Sequence, residues 1–138
     1  MKEMKGMNAV KEVMLAVNGT LMRGLELEKN LLNVNASFVR EAKTRKAYRL
    51  WSICDRNPAM IRVGVDDPLA AEIDVEVWSV PLEGLATVLM NEPEGLSIGK
   101  VVLSDGETVL GVIGEPLLVR GMKEITAFGG WRNYISSL

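Results

Sequence analysis

The sequence contains no histidine and only one cysteine, Cys54, and these absences exclude several familiar catalytic and metal-binding arrangements. Without imidazole there is no Ser-His-Asp triad and no Cys-His pair. A single thiol cannot form an internal disulfide or a four-cysteine zinc site, and it suits a reducing compartment, so we expect a cytoplasmic protein. We predict neither a metal nor a cofactor. We also expect Cys54 to be buried, because it follows an apolar strand.

Long hydrophobic runs and an excess of either charge are also missing. No apolar stretch approaches the length of a membrane span, and the formal net charge of −2 provides no basic surface for nucleic acid or anionic lipid. The 138 residues, 48% hydrophobic and 25% charged, are typical of one globular domain. We therefore expect no nucleic-acid or membrane partner, a flexible tail over residues 1–12, and a single domain over residues 13–138.

Apolar and polar residues alternate along much of the sequence, and this period of two is typical of β-strands. Strands are predicted over residues 14–17, 47–54, 60–65 and 69–80, and a hairpin over residues 101–113 with its turn at Asp105 and Gly106. Helical spacing occurs in residues 24–33, 81–91 and 129–137. The mixture predicts an α+β domain, a small mixed β-barrel with short flanking helices.

Three carboxylates share one face of the 69–80 strand: Glu72, Asp74 and Glu76. Such a cluster raises the question of a hard-metal site, but neighbours on one strand face lie about 7 Å apart, too far to converge on one ion without other strands. We expect these side chains to face solvent opposite basic residues.

Five segments of the sequence resemble, in the same order, segments of the C-terminal domain of allophanate hydrolase. The most specific is EITAFGGWRNYISS at residues 124–137, where that domain carries an Ile-Ser-x-Phe-Gly-Gly-Trp-Arg-x-Tyr run. The other four are AYRLWSI, MIRV, IDVEVWSVP and LSIGKVVLSDGETVLGVI. The resemblance covers nearly the whole chain from about Val13. Because the sequence lacks the serine-rich signature of the amidase domain, we expect the C-terminal domain to stand alone.

The resemblance implies a γ-glutamylcyclotransferase-like fold, in which a loop after the first strand binds a substrate carboxylate through backbone N–H groups. Cyclotransferases carry Tyr-Gly-Ser/Thr-Leu/Asn in that loop, and this sequence carries Asn18, Gly19, Thr20 and Leu21. Successive N–H groups in a turn form an anion-binding concavity, which fits that use. The alternative is a plain turn between strand and helix that needs Gly19 for its backbone φ.

The resemblance to cyclotransferases also implies a catalytic glutamate, in a Glu-Gly-x-x pattern that follows a helix and leads into the next strand. Glu94 with Gly95 matches that pattern, and Glu92 is its rival two residues earlier. A carboxylate can act as a general base when partial burial raises its pKa. The allophanate hydrolase domain usually has no glutamate at this place. The alternative is that both side chains are solvated loop carboxylates.

Three functions stay open on the sequence alone. The first is an enzyme of the cyclotransferase type that binds a small carboxylate or amide metabolite and uses Glu94. The second, implied by the resemblance, is the decarboxylation of an N-carboxylated carbamate that is attributed to some allophanate hydrolase C-terminal domains. That activity is associated with a histidine in the first loop, near Thr20 here, and the sequence has none. The third is a non-catalytic ligand-sensing or assembly module that acts with a separate amidase in urea or amide nitrogen metabolism. We also expect a homodimer that uses an apolar patch of Phe128, Trp131, Tyr134 and Ile135.

Overall fold

The strands of the domain build two sheets, with short helices between and after them. The computed structural model describes residues 11–138. The strands are β1 (Glu12–Val17), β2 (Ser37–Lys43), β3 (Tyr48–Ile53), β4 (Asn57–Arg62), β5 (Asp74–Pro81), β6 (Leu96–Val102), β7 (Thr108–Gly114) and β8 (Lys123–Glu124). The helices are α1 (Glu28–Leu32), α2 (Leu82–Met90) and α3 (Trp131–Ile135), with 3-10 turns at Pro116–Val119 and Thr126–Phe128. This architecture confirms the predicted α+β class.

The larger sheet is mixed and has five strands in the order β2-β5-β1-β7-β6. Strands β1 and β7 run parallel, and every other neighbouring pair in that sheet is antiparallel. The smaller sheet has the order β4-β3-β8. A Cβ on Gly114 of β7 would lie 2.8 Å from Cβ of Ala59 in β4, so the two sheets touch there. No strand ladder between residues 11 and 138 joins them into a closed barrel, so the barrel prediction is not confirmed.

Two inner strands of the larger sheet, β1 and β5, are buried over long continuous stretches. In β1, the consecutive residues Leu15, Ala16 and Val17 are all buried, because a central strand is covered on both faces. The same holds for β5, where residues 75–80 are buried without interruption. The prediction that Glu76 faces solvent is therefore wrong, since Glu76 is 2% exposed, whereas Asp74 lies near the sheet surface and pairs with Lys43.

Other differences from the sequence prediction have local causes. Helix α1 is shorter than predicted because Gly24 adopts a left-handed φ of 78° and residues 18–27 form successive turns. Strand β2 was not predicted, since it is an edge strand with a register shift after Phe38. Cys54 is exposed, not buried, because the turn after β3 places it at a left-handed φ of 53°.

The C-terminal aromatic residues pack against the domain itself. Trp131 and Tyr134 are 3% and 1% exposed, and the Tyr134 hydroxyl donates to Asp55 Oδ1 at 2.6 Å. Phe128 is 38% exposed and meets the Tyr134 ring edge-on. The expected dimer patch is thus largely core of this domain. Of the predicted tail over residues 1–12, only Lys11 and Glu12 lie within the described residues, and Glu12 begins β1.

Helix α2 is the longest helix in residues 11–138, with nine residues. None of the described helices has the length and apolar character needed to cross a membrane.

Candidate functional site

The loop of residues 18–21 follows β1 directly, and its first side chain anchors it to the sheets. Asn18 is 4% exposed, and its Nδ2 donates to the carbonyl of Val112 at 2.9 Å and approaches Met60 Sδ at 3.8 Å. The amide of Asn18 therefore ties the end of β1 to both β7 and β4. This tie fixes the point from which the loop leaves the larger sheet.

Gly19 is required by close packing and not by an unusual φ. Its φ is not among the positive values of the described glycines, but an added Cβ would lie 2.5 Å from Pro58 Cδ. The loop is then held by two internal hydrogen bonds, from Met22 N–H to the Gly19 carbonyl at 3.0 Å and from Leu27 N–H to the Thr20 carbonyl at 2.9 Å. The interpretation of residues 18–21 as a turn that needs glycine for its φ is therefore not supported.

Three backbone donors of the loop find no acceptor in the part of the chain that the structure describes. The N–H groups of Gly19, Thr20 and Leu21 make no hydrogen bond within residues 11–138. Buried backbone donors are nearly always paired, with protein, water or ligand. Successive N–H groups of a turn can form a concavity that binds a carboxylate.

Glu92 faces the same loop from the other side of a narrow recess. We call this space the inner recess; its volume is about 10 Å³, and it is lined by Val17, Asn18, Gly19, Thr20, Leu21, Asn57, Pro58, Glu92, Leu96 and Val112. Glu92 N–H donates to the Leu89 carbonyl at 3.0 Å in the turn that follows α2, and Glu92 lines the recess from there. The recess has about the volume of one water molecule.

One oxygen of the Glu92 carboxyl group has no hydrogen-bond partner among residues 11–138. This atom, Oε2, is fully buried. Burial raises the pKa of Glu92 from 4.5 to about 7, because the charged form loses its hydration without gaining a counter-ion. A carboxyl group with a pKa near neutrality can both accept and donate a proton at physiological pH.

A wider cavity, the outer cleft, adjoins the inner recess. Its volume is about 720 Å³, enough for a ligand much larger than a simple carboxylate. Thr20 and Asn57 line both cavities, so they mark the passage between them. Charged side chains on the outer cleft come from five places in the chain: Glu26, Arg56, Glu94, Glu115 and Arg120.

The structure places the predicted site residues in two neighbouring cavities. All four residues of the 18–21 loop line the inner recess, and Glu92 joins them there. Glu94 is exposed and lines the outer cleft instead. Sequence reasoning did not identify Asn57, Arg56 or Arg120, because DRNP was interpreted only as a turn between strands and residues 115–122 carry no recognisable motif.

The model of the allophanate hydrolase C-terminal domain matches residues 13–136. The chain is 36% identical over 131 residues to the urea amidolyase of Saccharomyces cerevisiae, covering 91% of this chain and 7% of that protein. The chain thus spans only a small part of the curated relatives it matches.

Solved structures give the same relationship. A uropathogenic E. coli-specific protein is 51% identical with a TM-score of 0.88, covering 92% of this chain and 98% of that one. The allophanate hydrolase of Kluyveromyces lactis is 33% identical with a TM-score of 0.86, covering 94% of this chain and 22% of that one. A gamma-glutamyl cyclotransferase, at 13% identity and a TM-score of 0.52, shares the fold alone. The chain belongs to the allophanate hydrolase C-terminal domain family, as its sequence motifs predicted.

Proposed function

We propose that this chain binds a small metabolite carrying a carboxylate and an amide, with the carboxylate on the 18–21 loop and the rest in the outer cleft. Glu92 is the proposed proton carrier. The observation that carries the proposal is the juxtaposition, around one recess, of three unpaired N–H donors and a buried carboxyl oxygen without a partner. Such a pair of features suits a ligand that presents an anion to the loop and an amine to Glu92. Because the recess is only about 10 Å³, it has to widen at Thr20 and Asn57 when these groups enter from the outer cleft.

The reaction we propose is of the cyclotransferase type. The neutral amine nitrogen of the ligand attacks the amide carbonyl within the same molecule, and Glu92, as a carboxylate, takes the proton that this nitrogen loses as the new bond forms. A new C–N bond forms, the original amide C–N bond breaks, and Glu92 returns the proton to the departing amine. The proton count closes within one turnover, so no external acid or base is needed.

Glu94 was the residue predicted from sequence as catalytic, and it supplies the matched comparison. Both glutamates belong to one short segment and flank Pro93, but only Glu92 lines the inner recess. If Glu92 carries the proton, Glu92→Gln loses about 10²–10⁴-fold in kcat and Glu94→Gln stays within a few fold of the parent. The reverse outcome would assign the role to Glu94.

The assay begins with the unchanged chain and a panel of γ-glutamyl-amines, with allophanate as a second substrate class. Amine release is followed by mass spectrometry, and binding by isothermal titration calorimetry. Both glutamine variants should keep ligand affinity within a few fold, because the carboxylate-binding donors lie in the 18–21 loop. A chain that neither binds nor turns over any of these compounds would refute the proposed enzyme.

A non-catalytic assembly module acting with an amidase is the second candidate. It is favoured by the presence of a homologous segment inside the allophanate hydrolase of Kluyveromyces lactis, of which this chain covers 22%. In this alternative, the domain would act in the cytoplasm beside a separately encoded amidase of urea or amide nitrogen metabolism. Co-elution with such an amidase, together with inactivity on the whole panel, would support it. Light scattering in the same experiment tests the predicted homodimer.

A further inference from the structure

The far end of the loop region is held by two side chains that come from distant parts of the chain. Arg23, two residues after Leu21, donates its backbone N–H to Glu76 Oε1 at 2.9 Å and its Nε–H to Glu76 Oε2 at 3.2 Å. Arg132 donates from one guanidinium nitrogen to Glu76 Oε2 at 3.1 Å and to the Arg23 carbonyl at 2.6 Å. Both the N–H and the C=O of Arg23 are therefore bound by side chains of β5 and α3.

Glu76 is itself fixed in place. Its side chain is 3% exposed, and Trp78 Nε1–H donates to Oε1 at 3.2 Å. The Arg23 guanidinium lies 3.6 Å from the centroid of the Phe38 ring, so its position is also defined by packing. A carboxylate with so many donors has little freedom to move.

We propose that Glu76 and Arg132 are positioning residues that hold the 18–21 loop in its ligand-binding shape. The loop begins at Asn18, bound to Val112, and contacts Pro58 at Gly19. Its other end is fixed by the contacts that Glu76 and Arg132 make with the backbone of Arg23. Removing either side chain releases that end, while the strands on both sides remain.

The consequence for ligand binding rests on the proposed function. Three N–H groups bind one carboxylate only when they converge, and displacements on the order of 1 Å are costly in such sites. Arg132 belongs to the GGWRNY segment that carries the family resemblance, and its hydrogen bond to the Arg23 carbonyl connects that segment to the 18–21 loop. It acts through the loop, not by touching the ligand.

An ion pair between β2 and β5, the strand that carries Glu76, provides the control. Lys43 and Asp74 form a pair between half-exposed side chains, and within residues 11–138 neither side chain hydrogen-bonds to the backbone of residues 18–23. The side chain of Arg132 is 47% exposed, so Arg132→Gln is expected to leave the fold intact. The variants are therefore Arg132→Gln and Glu76→Gln, with Lys43→Gln as the control.

The experiment measures backbone hydrogen exchange on the full chain without ligand. Met22 and Leu27 N–H, which close the loop, should exchange about tenfold faster in Arg132→Gln, while amides of β6 and β7 keep their rates. In Glu76→Gln, which also loses global stability, exchange at Met22 and Leu27 should accelerate more than exchange in β6 and β7. Lys43→Gln should exchange like the parent. Unchanged loop exchange in Arg132→Gln, or equal acceleration throughout the domain, would overturn the proposal.

A ligand measurement then separates this inference from the proposed function. With a γ-glutamyl-amine that the parent binds, both loop variants should raise KM or Kd about tenfold or more, with a smaller effect on kcat. If the parent binds no compound of the panel, the proposed function fails, and the exchange rates alone decide whether the loop is held. If loop exchange accelerates while affinity is unchanged, the positioning role for the ligand is wrong.

Discussion

Gly19 lies so close to Pro58 that an added Cβ would stand 2.5 Å from Cδ and 2.7 Å from Cγ of the proline ring. Real Cβ atoms do not approach carbon at such distances, and a proline ring has little freedom to withdraw. We expect Gly19→Ala to lower the free energy of unfolding by about 1–3 kcal/mol, as overpacking of a core does. Urea denaturation followed by tryptophan fluorescence measures this change.

The partner residue provides the control for this prediction. In the double variant Gly19→Ala with Pro58→Ala, the new methyl group gains the space of the missing ring, so the loss should be smaller than the sum of the two single losses. Additive losses would mean that the contact is not the cause. Ligand binding should weaken in Gly19→Ala, since the displaced backbone carries the unpaired N–H groups.

We expect the buried carboxyl group of Glu92 to lower the free energy of unfolding at neutral pH. Its pKa rises from 4.5 to about 7 on folding, so the folded state holds the proton where the unfolded state has released it. Between these two values, stability falls as the pH rises, and above about pH 7 the full penalty of about 3 kcal/mol applies. Glu92→Gln should therefore be more stable than the parent at pH 8 by up to that amount, and by little at pH 4.

Urea denaturation at a series of pH values between 4 and 8 measures the difference between the parent and Glu92→Gln. Glu94→Gln is the matched control, because Glu94 is exposed and its substitution removes no buried carboxyl. The stability difference between Glu92→Gln and the parent should be larger at pH 8 than at pH 4. An equal difference at the two pH values would contradict the burial of this group. A stabilised variant without activity would place Glu92 among residues retained for function at a cost in stability.

The same titration should govern activity if the proposed mechanism holds. Glu92 must be a carboxylate to accept a proton, so kcat/KM of the free enzyme should rise with pH and level off above about pH 7. Initial rates with the best γ-glutamyl-amine, measured between pH 5 and 9, give the pH at which kcat/KM levels off. A rate that is independent of pH across this range would exclude Glu92 as the base.

The strands of the domain could be predicted from sequence because burial of one face, or of both, gives a simple pattern. The turn at Asp105 and Gly106 was also predictable, since Gly106 has a left-handed φ of 91° that a tight hairpin needs. Strand β2 escaped prediction because an edge strand buries little and exposes apolar side chains such as Val39. The burial of Glu76 escaped it because two arginines far away in sequence supply the compensating charge.

One part of the candidate site could be predicted from the sequence, and the other part could not. Residues 18–21 could be identified because the resemblance covers a continuous stretch of sequence. The choice between Glu92 and Glu94 could not be made, since both fit a loop after a helix and only the orientation of the segment decides which one enters the recess. Asn57 and Pro58 join the site through the contact between the two sheets, which no local pattern encodes.

Cys54 should react as an accessible thiol in the native protein. It is exposed, at a left-handed φ of 53°, in the turn between β3 and β4. An Ellman titration without denaturant should detect one thiol per chain, and Cys54→Ser should give none. A thiol that reacts only after unfolding would contradict the exposed position.

Glu76 should make the domain sensitive to acid. Burial alone raises the pKa of Glu76, but the hydrogen bonds from Arg23 N–H, Trp78 and the two guanidinium groups outweigh it and hold the pKa below its ordinary value of 4.5. The stabilisation is therefore fully present above about pH 4.5 and is lost as the pH falls through the lower value in the folded state.

Glu76→Gln should then be less stable than the parent at pH 7 by about 1–3 kcal/mol, the range for hydrogen bonds to charged groups, and the gap should narrow below pH 4.5. Chemical denaturation at pH 7, 5, 4 and 3 measures the gap, with Lys43→Gln as a variant that disturbs only an exposed pair. A gap that stays constant down to pH 3 would mean that Glu76 contributes through its shape and not through its charge. The ion pairs with Arg23 and Arg132 would then be incidental to stability, although their contacts with the Arg23 backbone could still hold the loop.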